Sequence, residues 1–376
     1  MAETKARLRP PALIAILVAA LLVGLALLEF SDWTGRRRPS PDRSPVPVAV
    51  PPTGPFLGVN YSHHDNSPTC SLQDSGIVAS YDRPGVREKV RGQLATMRGA
   101  GVETLRLILW HGPAVEGQRW GVVEASDDGL AEPYRTNLVR YVTDVRVAGF
   151  ARLTVALAPG GRANPKSVDF LPPELERNWN VLVAVRTLLK QFGPRDSAVD
   201  LLNEGPAGPR DTDAVRDATR SYLGEMYQRY ARRWGTADVS VSVVASQSGP
   251  DLVARLDLLL DAVTDAQAPA PSWFELHLAY DPELALSILG AADDFLSERG
   301  MRQPFVVGEA AYESHEVGEA IARFRDRSAR QVLEVLAWPL TRDKPCLDIS
   351  IAPPYQVEAY RQALRPEALA GAPPTT

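Results

Sequence analysis

The chain has 376 residues, 45% of them hydrophobic and 23% charged, with a formal net charge of −5. That supplies enough apolar sequence for a sizeable core in one large domain or two modest ones. The near-neutral balance and the scatter of the basic residues exclude the electrostatic footprint of a nucleic-acid binder and leave sugars, peptides or small molecules as partners.

Residues 1–11 are a short basic tail with Lys5, Arg7 and Arg9, and Ala12 to Leu28 is an apolar run closed by Glu29 and Phe30. At about 1.5 Å per helical residue such a run nearly spans a ~30 Å hydrocarbon core. It exceeds the roughly 7 to 15 apolar residues of a cleaved signal, and no small-residue cleavage site follows, so 12–30 is expected to be an uncleaved transmembrane signal-anchor helix. Charge does not orient it, because Arg36, Arg37, Arg38 and Arg43 downstream offset the three upstream cations. Residues 31–55 are a Pro/Arg-rich linker whose stretch PSPDRSPVPVAVPPTGP is too proline-dense for a helix or a central strand and reads as a semi-rigid spacer.

From 56 to 368 a short apolar strand alternates with a longer amphipathic stretch, eight times over. The strands are predicted at 56–60, 104–110, 151–157, 197–203, 238–245, 273–279, 303–308 and 332–338. The helices are predicted at 84–100, 132–148, 174–192, 212–234, 250–265, 282–299, 315–327 and 354–364. Helix starters precede several of them, as in Asp211-Thr212-Asp213, Gly249-Pro250-Asp251 and Asp281-Pro282. Eight βα units in this length predict an α/β fold of the (β/α)8 or TIM-barrel type. An open doubly wound sheet is the runner-up, but it lacks the Gly-rich turn after the first strand that a dinucleotide fold would offer. Residues 369–376 are expected to be a flexible tail.

Reactive groups in a barrel collect where its strands end, and that rule gives a shortlist. Strand two carries Arg106 and ends at Trp110-His111; strand four ends Asp200-Leu201-Leu202-Asn203-Glu204-Gly205; strand six runs into His277 and Tyr280; strand seven ends at Glu309 and strand eight at Trp338. These residues resemble the large clan of (β/α)8 retaining glycoside hydrolases that includes cellulases, mannanases and xylosidases. The clan's signature is Asn-Glu at the end of strand four and Glu at the end of strand seven, matched by Asn203-Glu204 and Glu309. Arg106, Asp200, His277, Tyr280 and Trp338 match its supporting positions. The sequence departs at three points: Gly205 stands where the family often has Pro, His277 and Tyr280 are one residue further apart than usual, and the third strand has no His at its mouth end.

The resemblance implies Glu204 as proton donor and Glu309 as nucleophile, on a carbohydrate substrate with β linkages, with no cofactor and no metal. Cleavage with retention needs one carboxylate to attack the anomeric carbon and one carboxyl to protonate the leaving oxygen, about 5 to 5.5 Å apart. Burial and the charge of Glu309 are expected to keep the proton on Glu204, while Arg106 and Tyr280 keep Glu309 ionised. Asn203 is expected to donate to the sugar 2-hydroxyl, and Trp338, Trp110 and Tyr61 to contact sugar rings. Trp120, Trp179 and Tyr312 are further aromatic candidates, and Glu313 competes with Glu309 for the nucleophile's role.

Blander readings stand beside these. A lone strand-end Glu is ordinarily solvated or ion-paired, and only the matched pair favours catalysis. Arg106 could simply be the buried partner of Asp200 or Glu275, with Glu275 structural, and the tryptophans could be packing. A non-catalytic carbohydrate-binding barrel is the alternative function. A metal-dependent barrel hydrolase built on His63-His64-Asp65 is weaker, because later strand ends supply too few imidazoles. Gly160-Gly161 is a loop and no phosphate cradle.

Cys70 and Cys346 lie in the loops after strands one and eight, neighbours in a closed barrel, and are a candidate disulfide worth about 2 to 4 kcal/mol if unstrained. The resulting expectation is a single-pass protein with its barrel outside the membrane, the bilayer being met through the N-terminal helix and an exopolysaccharide being processed at the cell surface. The oligomeric state is left open by the sequence.

Overall fold

The structure, a computed structural model, describes residues 55–65, 72–113, 121–244, 248–278, 281–311, 315–338, 340–341, 350–351 and 358–364. All of them belong to one unit, Pro51–Thr376. The expected anchor, the linker up to residue 54, Cys70, Cys346 and the 369–376 tail lie outside the described residues. No helix among the described residues is long and apolar enough to cross a membrane.

Eight parallel strands close into a barrel: β1 (Phe56–Asn60), β2 (Thr104–Gly112), β3 (Arg152–Pro159), β4 (Ala198–Asp200), β5 (Val239–Ser240 and Ser242–Val244), β6 (Phe274–His277), β7 (Phe305–Ala311) and β8 (Val332–Trp338). The order runs β5-β4-β3-β2-β1-β8-β7-β6 and returns to β5, whose first segment pairs β4 and whose second pairs β6. Helices alternate with the strands: α1 (Val86–Gly99), α2 (Tyr134–Val147), α3 (Pro172–Phe192), α4 (Asp213–Trp234), α5 (Gly249–Asp265), α6 (Pro282–Glu298), α7 (His315–Arg327) and α8 (Glu358–Leu364).

The alternation along each strand explains this architecture. Leu105, Leu107 and Leu109 of β2, Leu153, Val155 and Leu157 of β3, and Phe274 and Leu276 of β6 all join the main core with the helices. The opposite face, reached every second residue, carries Arg106, Thr154, Asp200, Ser240, Ser242, Glu275 and His277, all buried. A strand with one apolar and one polar buried face needs helices outside and a hydrogen-bonded network inside. The helices supply matching stripes: α6 buries Ala285, Ile288, Leu289, Ala292, Phe295 and Leu296, a 3.6-residue repeat. It starts where Asp281 accepts from the Leu284 N–H at 2.7 Å and Pro282 fills the first turn. Thr212 and Ser248 cap α4 and α5 in the same way.

Strands one and eight and helix 315–327 fall where the sequence predicts them. The predicted strand 197–203 is shorter as regular strand, because only Ala198–Asp200 keeps ladder geometry. Backbone pairing nevertheless continues as Leu201 N–H donates to Ser240 O, Asn203 N–H to Leu157 O and Gly205 N–H to Ser242 O. A short hairpin, Val123–Ser126 with Gly129–Leu130, extends the end of β2 and was not expected.

Candidate active site

The mouth is organised around Arg106, which β2 aims into the barrel and which is fully buried. Its guanidinium lies 2.8 Å from Asp200, 2.7 Å from Glu275 and 3.2 Å from Glu309. It also donates to Asn203 Oδ1 at 2.7 Å and Asn60 Oδ1 at 3.1 Å. A single cation inside a ring of carboxylates is held charged by them, and it in turn draws β1, β2, β4, β6 and β7 to one point. Arg106 is therefore both the buried partner of Asp200 and Glu275 and a site residue beside Glu309.

Glu309 reaches the mouth through a local irregularity. The pairing of β7 shifts register between Val307 and Glu309 against β6, and between Val307 and Ala310 against β8. Such a bulge re-aims a side chain, and here it sets Glu309 beside His277. Gly308 makes room for this, since a Cβ at that position would stand 2.4 Å from Glu275 Oε1. The Gly308 carbonyl accepts from Asn60 Nδ2 at 2.8 Å.

Glu204 is placed by the bend that ends β4. Asp200 Oδ1 accepts from the N–H groups of Leu202, at 3.2 Å, and Ser242, at 3.1 Å. Glu204 has φ 52°, the left-handed region, a placement that costs a non-glycine residue roughly 1 to 2 kcal/mol and persists only where its surroundings hold it. Its carboxylate meets His277 Nδ1 at 3.2 Å, and the same nitrogen lies 3.4 Å from Glu309 Oε1. One carboxylate oxygen from each glutamate and a ring nitrogen of His277 all lie within 4.8 Å of one another. The two carboxylates thus face each other across the mouth, Glu204 the more open, with side-chain exposures of 36% and 13%.

The charges set the protonation pattern. Burial opposes a cationic His277, yet Glu309, Glu204 and Glu275 raise its pKa to about 9. Burial, reinforced by repulsion from Glu204 and Glu275, pushes Glu309 up to about 7. Burial alone would raise Glu204 too, but the hydrogen bond and charge of His277, with Lys166 and Arg106, hold it below the ordinary value. At Glu275 burial is outweighed by Arg106 together with His277 and the Ser240 hydroxyl, and the carboxyl is held at about 2. The direction differs from the expected one: these surroundings favour the proton on Glu309 over Glu204. The physical reason is that Glu309 is the deeper of the two and is repelled by Glu204 and Glu275, whereas the more open Glu204 carries the hydrogen bond from His277.

Asn203 lies where the sequence places it, its amide oxygen committed to Arg106, which leaves its NH2 as the donor end. Trp338 ends β8 opposite Ala311, two residues beyond Glu309 on the neighbouring strand, and is partly exposed. Trp110 shares the strand face of Arg106, four residues or roughly 13 Å further up, and its partly exposed ring lies 5.1 Å from that of His63. Tyr61 does not reach the mouth. It follows the inward Asn60, so the two-residue period turns it outward, where it is fully buried and donates to Gln93 Oε1 at 2.5 Å on α1. Trp179 also belongs to packing, its ring 5.8 Å from that of Trp234 and tilted 31° to it on the outer helices. Tyr280, Trp120, Tyr312 and Glu313 lie outside the described residues. His63, His64 and Asp65 do not converge as metal ligands: His63 packs on Trp110, His64 pairs with Ser80 at 3.1 Å and Asp65 with Lys89 at 2.5 Å.

Asn60, Ser242 and Lys166 were not singled out in the sequence. Asn60 could have been, as a polar strand end on the inner face like Asn203. Ser242 sits inside a strand of alternating serines and valines, and Lys166 in a loop, where no periodic signal marks either.

The sequence matches no family model and no curated protein. Among solved structures it is similar to a broad-specificity GH5-4 endoglucanase from Ruminococcus champanellensis with bound cellotriose: TM-score 0.54 and 12% identity over 82% of this chain and 94% of that one. It is also similar to a GH5_18 protein from Streptomyces cattleya in complex with Manb1-4GlcNAc: TM-score 0.52 and 15% identity over 86% of this chain and 83% of that one. The fold is thereby that of a (β/α)8 barrel, the class to which these glycoside hydrolases belong.

Proposed function

We propose that the chain is a retaining glycoside hydrolase acting on β-linked oligo- or polysaccharide by double displacement. The observation that carries this is the meeting of Glu204 and Glu309 from β4 and β7, oxygens within 4.8 Å, a separation suited to direct attack and too short for an intervening water. In the first step Glu309 attacks the anomeric carbon while Glu204 protonates the departing oxygen. In the second, Glu204 takes a proton from water as that water displaces Glu309. The acid must hold the proton at the start, so a proton favoured on Glu309 has to pass to Glu204 when substrate binds. Bringing positive charge at the anomeric carbon beside Glu309 favours that transfer, and His277 Nδ1, in contact with both carboxylates, is the group through which it is coupled. Asn203 donates to the 2-hydroxyl, and Trp338 and Trp110 offer flat faces to sugar rings. Cellotriose and Manb1-4GlcNAc in the two similar barrels support a β-glycan as the class.

The same three groups, Glu204, His277 and Glu309, have the spacing of a metal-holding triad. A cationic His277 has no lone pair to offer, and Arg106 stands 3.2 Å from Glu309 Oε1, so a divalent ion would meet two positive groups. Glycosidase activity that survives chelation supports the first reading; activity that needs an added divalent metal supports the second. The decisive assay is turnover of aryl β-glucosides and β-mannosides and a β-glycan panel by the wild type, Glu204→Gln and Glu309→Gln. Loss in both variants supports the hydrolase, and binding without turnover in the wild type makes the barrel a receptor.

The membrane tether at 12–30 and an extracytoplasmic barrel working on an exopolysaccharide are part of this proposal, supported by the apolar run and the proline spacer. Protease added to intact cells should release the barrel; its protection until lysis would place it inside.

A further inference from the structure

Glu204 sits where a strand end does not ordinarily put a side-chain-bearing residue, at φ 52°. Both ends of its peptide are held. Its N–H donates to Ser242 Oγ at 2.7 Å, and its carbonyl accepts from Lys166 Nζ at 2.6 Å. Ser242 is fixed by donating its own N–H to Asp200. Lys166 comes from the loop after β3, and its N–H donates to Asn164 Oδ1 at 2.9 Å, so the loop presents it in a defined turn. This is the strand whose mouth lacks a histidine.

We propose that Lys166 is a positioning residue for the Glu204 carboxylate: it clamps the left-handed peptide through the carbonyl and sets a positive charge beside the side chain. The kinetic consequence rests on the hydrolase reading, whereas the clamp rests on geometry alone. The charged groups facing Glu204 are His277, Lys166 and Arg106, with Glu309 opposing them across the mouth. Those around Lys166 are Glu204, Arg255 and Asp211. Burial pulls the Lys166 ammonium below its ordinary value, as expected of a side chain turned into the site. Without Lys166 the carbonyl loses its donor, the peptide is free to return to ordinary backbone geometry, and the carboxylate loses one of the three cations that favour its charged form.

The test uses Lys166→Met, Lys166→Arg and, as a control in the same loop, Val168→Ser at a position 89% exposed. Carboxyl carbon-13 NMR titration, with Glu204 assigned through Glu204→Gln, reads the clamp without any need for turnover. Lys166→Met should move the Glu204 titration to higher pH, Lys166→Arg should return it toward the wild type, and Val168→Ser should leave it in place. An unmoved titration in Lys166→Met, or no recovery with Lys166→Arg, overturns the proposal. In the kinetic arm, kcat/KM on an aryl β-glycoside should fall roughly ten- to a hundredfold in Lys166→Met, the scale of a small misplacement of a catalytic group. Its basic limb should move to higher pH. A wild type that cleaves nothing refutes the hydrolase reading, while the NMR titration still decides on the clamp.

Discussion

His277 gives the structure its sharpest thermodynamic prediction. Its side chain is 2% exposed, lies 3.2 Å from Glu204, 3.4 Å from Glu309 and 3.9 Å from Glu275, and has its pKa raised from 6.5 to about 9. At 1.36 kcal/mol for each tenfold change, that preference for the protonated ring is worth on the order of 3 kcal/mol. Because the folded-state value is raised, the contribution is fully present below about pH 6.5 and is lost as pH rises through 9. The perturbation is His277→Gln, which keeps a polar side chain and cannot titrate. Removing one partner of a buried charge cluster costs stability at every pH, so the informative quantity is the slope of the difference between the two proteins. Urea unfolding at intervals from pH 6 to pH 9.5, extrapolated linearly, supplies it. The wild type's advantage should shrink by on the order of 3 kcal/mol across that window. A difference that stays level from pH 6 to pH 9.5 would refute the cationic His277, and with it the reason given for the low Glu204 pKa.

Three further outcomes follow from the same network. Arg106→Met leaves Asp200 and Glu275 buried without their cation and should destabilise the fold by about 3 to 5 kcal/mol, measured by urea unfolding; a loss below 1 kcal/mol would mean the ring of carboxylates does not depend on it. Gly308→Ala drives a methyl group to 2.4 Å from Glu275 Oε1 and should cost about 1 to 3 kcal/mol together with a fall in kcat, read by thermal melting and steady-state kinetics. Trp338→Ala should raise KM several-fold, about 1 kcal/mol of ring contact, with little change in kcat on an activated aryl glycoside; an unchanged KM on every substrate cleaved would return Trp338 to packing.

The barrel was legible because each strand writes its two faces in alternation. Leu105, Leu107 and Leu109 against Arg106, Ile108 and Trp110 shows an outward apolar face and an inward mixed one within a single segment. Asn203, Glu204 and Glu309 were legible because the strand-end rule concerns position, which sequence supplies. What failed was direction at a strand's exit: Tyr61 continues the period of two and turns outward, while Glu309 escapes the period through a bulge at Gly308, where a Cβ would meet Glu275. Electrostatics was the least legible. The placement of the proton depends on the distances from His277 to three carboxylates, and those distances join residues from different strands. Lys166 was invisible for a related reason, since a loop lysine acquires meaning only from the carbonyl it meets.

The account stands on Glu309 attacking a sugar carbon opposite Glu204. The direct measurement is incubation with dinitrophenyl 2-deoxy-2-fluoro-β-glucoside and its mannoside counterpart, followed by peptide mapping by mass spectrometry. A fluoroglycosyl adduct on the peptide bearing Glu309, absent from Glu309→Gln, is the predicted result. An enzyme that turns over aryl glycosides yet carries no adduct, or carries it on a different residue, would contradict the mechanism.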